Sequence, residues 1–415
     1  MSLDLSARPT NAADATPWLN PQEYWPGLTE ATRGLDTPVG ALHLGALRHN
    51  THDMLGRAQG TPIRVASKSL RVRGVLDAVL ALPGYRGVLA FTLAEALWLA
   101  ETHDDIVVGY PSVDRAAIRM LAGSADLAAR VTLMVDSIDH LDLVDSVIAP
   151  SQRERIRVCL ELDASWNAPV LGHLGVWRSP VHTPEDARAL AVAIVSRPGF
   201  DLVGMMAYEA QIAGLGDRPP GHPVRGGMNR WVRNRSIVDI TARRAAAVAA
   251  VRQVADLEFV NGGGTGSLES THADTSVTDI AAGSGFFGGH LFDSYSGFRP
   301  APAAAFALSV VRKPTAQTAA MLGGGWIASG PPGADRSPRL VWPEGLSLVP
   351  REMAGEVQTP VTGAAAGALR VGERVWLRHT KSGELSEHLN EFALVENGIV
   401  VDMLPTYRGE GKAFL

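Results

Sequence analysis

Residues 257–285 read LEFVNGGGTGSLESTHADTSVTDIAAGSG, two short β-rich runs that each end in a glycine-rich turn. The first run, 257–261, leads into Asn261-Gly262-Gly263-Gly264-Thr265-Gly266-Ser267; the second, 277–282, leads into Ala282-Gly283-Ser284-Gly285. Glycines let backbone N–H groups approach a phosphate closely, and the hydroxyls of Thr265 and Ser284 add donors. Neither turn has dinucleotide or P-loop spacing. Working backward, six further β-rich runs occur at 62–67, 88–92, 105–110, 131–137, 156–164 and 202–208, with helical patterns between them. Such alternation implies parallel strands joined by helical crossovers, and eight strands close a barrel. The expected fold class is therefore α/β, a (β/α)8 TIM-type barrel, with the glycine turns where barrels commonly hold phosphate.

The segments between the runs support this order. Residues 69–82 (SLRVRGVLDAVLAL) and 183–196 (TPEDARALAVAIVS) place apolar residues at helical spacing, with Thr183 as N-cap and Pro184 in the first turn. Another helix is expected at 238–254. The longest insertion, 209–236, is rich in Gly, Pro and Arg and reads as a long loop: a lid, a subunit contact or a plain surface excursion. After about residue 305 the pattern changes to short β-like segments broken by Gly and Pro, with a hairpin signal at Asn397-Gly398. The expected domains are an amino-terminal arm over 1–45, which lends a strand to the second domain or stands apart, a barrel over 46–305, and a smaller mostly-β domain over 306–415.

Composition narrows the function classes. Lys+Arg 38 against Asp+Glu 43 gives little field of either sign, which argues against a nucleic-acid partner. The single cysteine, Cys159, lies between Val158 and Leu160, so no intramolecular disulfide forms; a core position and a cytoplasmic location are expected. The first residues lack a basic and an apolar leader segment, and no apolar run reaches the roughly 20 residues of a membrane span. No membrane association is expected.

Reactive residues matter most at the carboxyl ends of barrel strands. Lys68 ends the first run, Ile63-Arg64-Val65-Ala66-Ser67-Lys68, where desolvation would free its amine for Schiff-base chemistry. A strand-end lysine is commonly just a solvated charge, and the two glycine turns are what shift the balance. Glu161, Asp163 and Glu209 also fall near strand ends and leave a barrel hydrolase with a carboxylate pair open.

Several features together carry a family resemblance. They are Arg64 four places before Lys68, Phe91-Thr92-Leu93-Ala94-Glu95-Ala96, Gly204-Met205-Met206-Ala207-Tyr208-Glu209, the GGGTGS turn and a histidine in the late β domain. From about residue 40 to its end the chain resembles the D-threonine aldolase and D-serine dehydratase group, pyridoxal-5′-phosphate (PLP) enzymes of the alanine-racemase fold type. The resemblance implies PLP held covalently by Lys68, Tyr208 near the pyridine nitrogen, and Thr265, Gly266, Gly283 and Ser284 at the phosphate. It implies a small-molecule substrate, a β-hydroxy D-amino acid, cleaved to glycine and an aldehyde or dehydrated and deaminated, in a homodimer.

Two departures stand out. Where family members carry Arg-x-Gly-Val after the fifth strand, this chain has His173-Leu174-Gly175-Val176, an imidazole in place of an obligate cation. Where they bind a divalent cation through His-x-Asp or His-x-Cys, this chain has His379-Thr380-Lys381. Lysine repels a metal, so the expectation is that Lys381 supplies the charge against the substrate; Glu384, Glu387 and His388 remain as ligands for a rearranged site. Lys68, Tyr208 and His379 are the expected catalytic residues, with His379 taking the hydroxyl proton and Lys68 the α-proton. A racemase with a base on each cofactor face is the alternative, followed by a non-catalytic PLP carrier, against which the added β domain argues.

Overall fold

Eight parallel strands close into a barrel: Ile63–Ala66, Tyr85–Ala90, Ile106–Val108, Val131–Val135, Ile156–Glu161, Phe200–Ala207, Phe259–Gly262 and Asp279–Ala282. The computed structural model describes residues 3–7, 16–330, 333–381 and 383–415. The amino-terminal stretch read for a leader is thus described only in part. All eight expected strands are present in chain order, and the last closes on the first through Ile280 opposite Ile63. The inside of the barrel is packed with Val107, Met134, Cys159, Val203, Met206 and Phe259, which places Cys159 in the core. Arg64 is buried beneath them; its guanidinium bonds Asp279 at 2.8 Å and Asp105 at 2.9 Å, tying the amino-terminal ends of strands one and eight to the turn before strand three. Buried charges of this kind persist only when paired on every side.

The chain divides into two compact units. One, the barrel unit, comprises Met54–Ser67, Pro83–Gly283 and Phe414–Leu415. The other, the sheet unit, comprises Met1–Asp53, Lys68–Leu82 and Ser284–Ala413. The division therefore does not follow boundaries at 45/46 and 305/306. Residues 68–82 leave the barrel unit because their backbone is tied to the carboxyl-terminal part of the chain: Ser386 Oγ donates to the Leu70 carbonyl at 2.6 Å and the Tyr407 N–H to the Arg71 carbonyl at 2.8 Å.

Two helix expectations change. The pattern at 69–82 gives a helix only over Arg73–Leu80, because Arg71 has φ of 52°, which no α-helix accepts. The insertion at 209–236 is not a long loop; after a short helix at Ala210–Ala213, a 30-residue helix runs Pro223–Arg252. Its buried stripe, Gly226, Asn229, Val232, Ser236, Ile240, Arg244, Ala247, Val248 and Val251, keeps helical spacing, but Asn229, Ser236 and Arg244 interrupt it with polar side chains. A hydrophobicity pattern therefore misses the stretch from Pro223 to Val238, roughly four turns. The helix at Pro184–Val195 starts as expected, with a capping box between Thr183 and Asp186.

In the sheet unit, strand Val39–His43 lies between Ala304–Thr315, antiparallel, and Glu391–Glu396, parallel. The amino-terminal segment thus supplies a central strand. Asn397 and Gly398, both at positive φ, turn Glu391–Glu396 back into Ile399–Pro405 as a hairpin. Tyr24, Trp25, Val39, Ala305, Trp376 and Val395 form this unit's core. Among the described residues no helix is long and apolar enough to cross a membrane.

Candidate functional site

The glycine turn after strand seven is held from three sides. Glu209, buried at the end of strand six, accepts from the Gly263 N–H at 3.0 Å and from Thr271 Oγ1 at 2.7 Å. Arg244 from the long helix pairs with it at 3.3 Å and with Asp274 at 2.9 Å. On the other side, Arg57 donates to the Thr265 carbonyl at 2.8 Å while pairing with Glu269, and Arg233 donates to the Gly266 carbonyl at 3.1 Å. Because a trans peptide sets its C=O and N–H on opposite sides, holding the Thr265 carbonyl on Arg57 turns the Gly266 N–H the other way. Two guanidiniums thus brace the turn from behind through its Thr265 and Gly266 carbonyls.

Glycine is required here. Gly263 has φ of 83°, and a Cβ on it would meet Ile280 at 2.7 Å. A Cβ on Gly264 would lie 2.9 Å from Ala213 and 3.5 Å from the Tyr208 ring. The turn and Tyr208, the residue after strand six, therefore pack side by side.

Sequence reading missed Arg178. Its guanidinium forms an ion pair with the buried Glu161 at the end of strand five and donates to the Gly109 carbonyl at 2.9 Å. It also lies over the Tyr208 ring, 5.4 Å from the centroid, and over the Tyr110 ring at 4.7 Å. Burial pushes the Glu161 carboxyl up, and Arg178 opposes that by holding the anion. The cation expected after strand five is thus present two residues beyond Gly175-Val176, and the available signal was the arginine of Trp177-Arg178-Ser179-Pro180. His173 sits instead in a hairpin of Trp166–Ala168 and Gly172–Leu174, stacked flat on Trp177 with centroids 3.7 Å apart. It shares with Asp163, Ser165, Trp177, Arg178 and His182 a cavity of about 490 Å³.

In the sheet unit, Lys68 occupies the turn Ser67–Ser69, immediately after strand one along the chain. Arg71 Nε donates to its carbonyl at 3.1 Å, and Arg71 in turn pairs with Glu387. Gly383 lies against the same carbonyl so closely that a Cβ there would overlap it. The segment 379–384 is thereby brought to Lys68. Within it, Glu384 Oε1 accepts from the Thr380 N–H at 3.0 Å and the Lys381 N–H at 2.9 Å. His379 is buried edge-on to Phe287, and neither ring nitrogen has a well-formed hydrogen bond, the Ala304 backbone lying near but not aligned. Burial, and then the Arg378 guanidinium, push its pKa down to about 3. The ring is thereby kept neutral near pH 7.

Comparison with known proteins agrees with this architecture. Residues 42–261 match the family described as alanine racemase, N-terminal domain. A D-threonine aldolase from Arthrobacter sp. is 26% identical over 257 residues, which span 60% of this chain and 60% of that protein. Among solved structures, D-threonine aldolase from Filomicrobium marinum superimposes with a TM-score of 0.73 at 20% identity, covering 90% of this chain and 96% of that one. D-threo-3-hydroxyaspartate dehydratase from Delftia sp. HT23 gives 0.63 at 18%, covering 90% and 97%. Alanine racemase from Bacillus anthracis gives 0.57 at 14%, covering 90% and 98%.

Proposed function

This chain belongs to the alanine racemase N-terminal-domain family, and from that premise we propose that it is a PLP-dependent lyase acting on a β-hydroxy D-amino acid. The observation that carries the reading is the glycine turn at 263–267, braced by Glu209, Arg57 and Arg233, on a barrel whose first strand runs directly into Lys68. The lysines of this chain are Lys68, Lys313, Lys381 and Lys412, and nearly all other cations are arginine. An amine that can lose its proton is thus placed at a strand end where a guanidinium would be inert.

The residues present fit the cofactor. Gly266, with the Thr265 hydroxyl and the Gly283-Ser284 turn, would hold the phosphate, and Lys68 would hold the cofactor covalently. Tyr208, under the Arg178 guanidinium, would lie near the pyridine nitrogen, and Arg178 would supply a cation there. Bound PLP supplies an electron sink for a bond broken at the substrate α-carbon. Lys68, once displaced by the substrate amine, moves the α-proton. His379, whose burial keeps its ring neutral, would be the acceptor of the β-hydroxyl proton in a retro-aldol cleavage.

The hydrolase alternative loses support because its carboxylates are committed: Glu209 accepts from Gly263 and Thr271 and pairs with Arg244, and Glu161 pairs with Arg178. Incubation with D-threonine, D-serine and D-threo-3-hydroxyaspartate separates the remaining outcomes. Aldehyde plus glycine, or ammonia plus a keto acid, supports the lyase. Enantiomer alone would make the chain a racemase, and no turnover of any amino acid would make it a carrier.

A further inference from the structure

Resting on the lyase reading, we propose that this chain works without a divalent cation in its sheet unit, because the side chains that would hold one are too few or committed elsewhere. A tightly bound dication needs several protein donors converging on one point, with anionic or imidazole ligands free to face it. The residues that sequence offers for this are His379, Glu384, Glu387 and His388, and the two carboxylates are engaged elsewhere. Glu384 closes the turn by accepting from the Thr380 and Lys381 N–H groups. Glu387 pairs with Arg71, which itself holds the Lys68 carbonyl. His388 lies flat on Trp326, with centroids 4.9 Å apart and an interplanar angle of 2°.

The next histidine, His290, bonds the Ser337 carbonyl at 2.9 Å through Nε2. Asp293, the nearest anion of that segment, is shared by Arg378, Arg339 and Arg299. His379 has the Arg378 guanidinium beside it, and position 381 carries a lysine where an anionic ligand would be needed. Among the described residues no group of three His, Cys, Asp or Glu side chains converges to hold an ion. A lysine at that position offers a dication no lone pair to bind while it is protonated.

The test uses the purified full chain. Its metal content is measured by elemental analysis, and Mn²⁺ and Zn²⁺ are titrated calorimetrically into the wild type, Lys381→Asp and Lys381→Cys. The proposal expects well under one ion per chain in the wild type, no saturable binding, and turnover unchanged by chelator. It expects Lys381→Asp or Lys381→Cys to gain one site, lost again when His379→Ala is added. One firmly held ion per wild-type chain, or activity removed by chelator and restored by metal, overturns it. So does a folded Lys381→Asp and a folded Lys381→Cys that both fail to gain an ion. Bound PLP is followed separately by its visible absorbance, so a colourless protein would sink the lyase reading while leaving the metal measurement standing.

Discussion

Gly383 rests directly on the carbonyl oxygen of Lys68, with no room for a side chain between them. Residues more than 300 apart in sequence are thereby fixed backbone to backbone, and Arg71, bonded to the same carbonyl and paired with Glu387, locks the arrangement.

Gly383→Ala should accordingly displace the Lys68 turn. Overpacking of this kind costs about 1–3 kcal/mol, read as a drop in melting temperature, together with a reduced fraction of chains carrying PLP. Gly297→Ala is the control, since nothing lies within 4 Å of a Cβ there. Equal behaviour of the two variants would count against the packing account.

Glu209→Gln tests the glycine turn. The substitution keeps an acceptor but removes the charge that balances Arg244 and bonds the Gly263 N–H. PLP affinity measured on apo-protein should weaken about 10-fold to 100-fold, which corresponds to roughly 1.4–2.8 kcal/mol. Glu209→Ala should also destabilise the barrel unit, by roughly 3 kcal/mol, because Arg244 then loses one of its two buried partners.

Arg178→Leu leaves Glu161 buried without its cation. The expected cost is about 3–5 kcal/mol in stability, together with a changed absorbance of bound PLP, since the guanidinium over Tyr208 is gone. The double variant Arg178→Leu/Glu161→Leu should recover stability without recovering the spectrum. Recovery of both would mean that Arg178 serves only Glu161.

The barrel was legible because its signal is repetition: eight β-rich runs at crossover spacing survive errors of a residue or two at each end. The glycine turn was legible because φ of 83° at Gly263 and the close approach at Gly264 admit no other residue. What lay outside the reading depends on partners distant in sequence. Arg178 acquires its role only once Glu161, Gly109 and Tyr208 surround it. The polar stripe of Pro223–Arg252 likewise makes sense only when Asn229 bonds the Gly216 carbonyl and Arg244 meets Glu209.

Acid stability follows from three histidines of the sheet unit, His290 and His379 buried and His43 partly so. Burial pushes His43 and His290 down to about 4 and His379 to about 3. The folded chain keeps these rings neutral, while the unfolded chain protonates them below about 6.5. Their contribution, on the order of a few kcal/mol in total, is therefore full above about pH 6.5 and is lost as pH falls toward 4. Melting temperature should fall steeply between pH 6.5 and 4.5, and less steeply in His379→Phe. A flat profile over that range would contradict the burial of these rings.

The most direct measurement is borohydride reduction of the purified protein, followed by peptide mapping. Because the lysines are Lys68, Lys313, Lys381 and Lys412, the site of labelling can be assigned without ambiguity. A yellow protein whose reduced pyridoxyl group maps to the peptide containing Lys68, with Lys68→Ala colourless, is the predicted result. A protein that stays colourless with added PLP, or a label on Lys313, Lys381 or Lys412 that persists in Lys68→Ala, would contradict it.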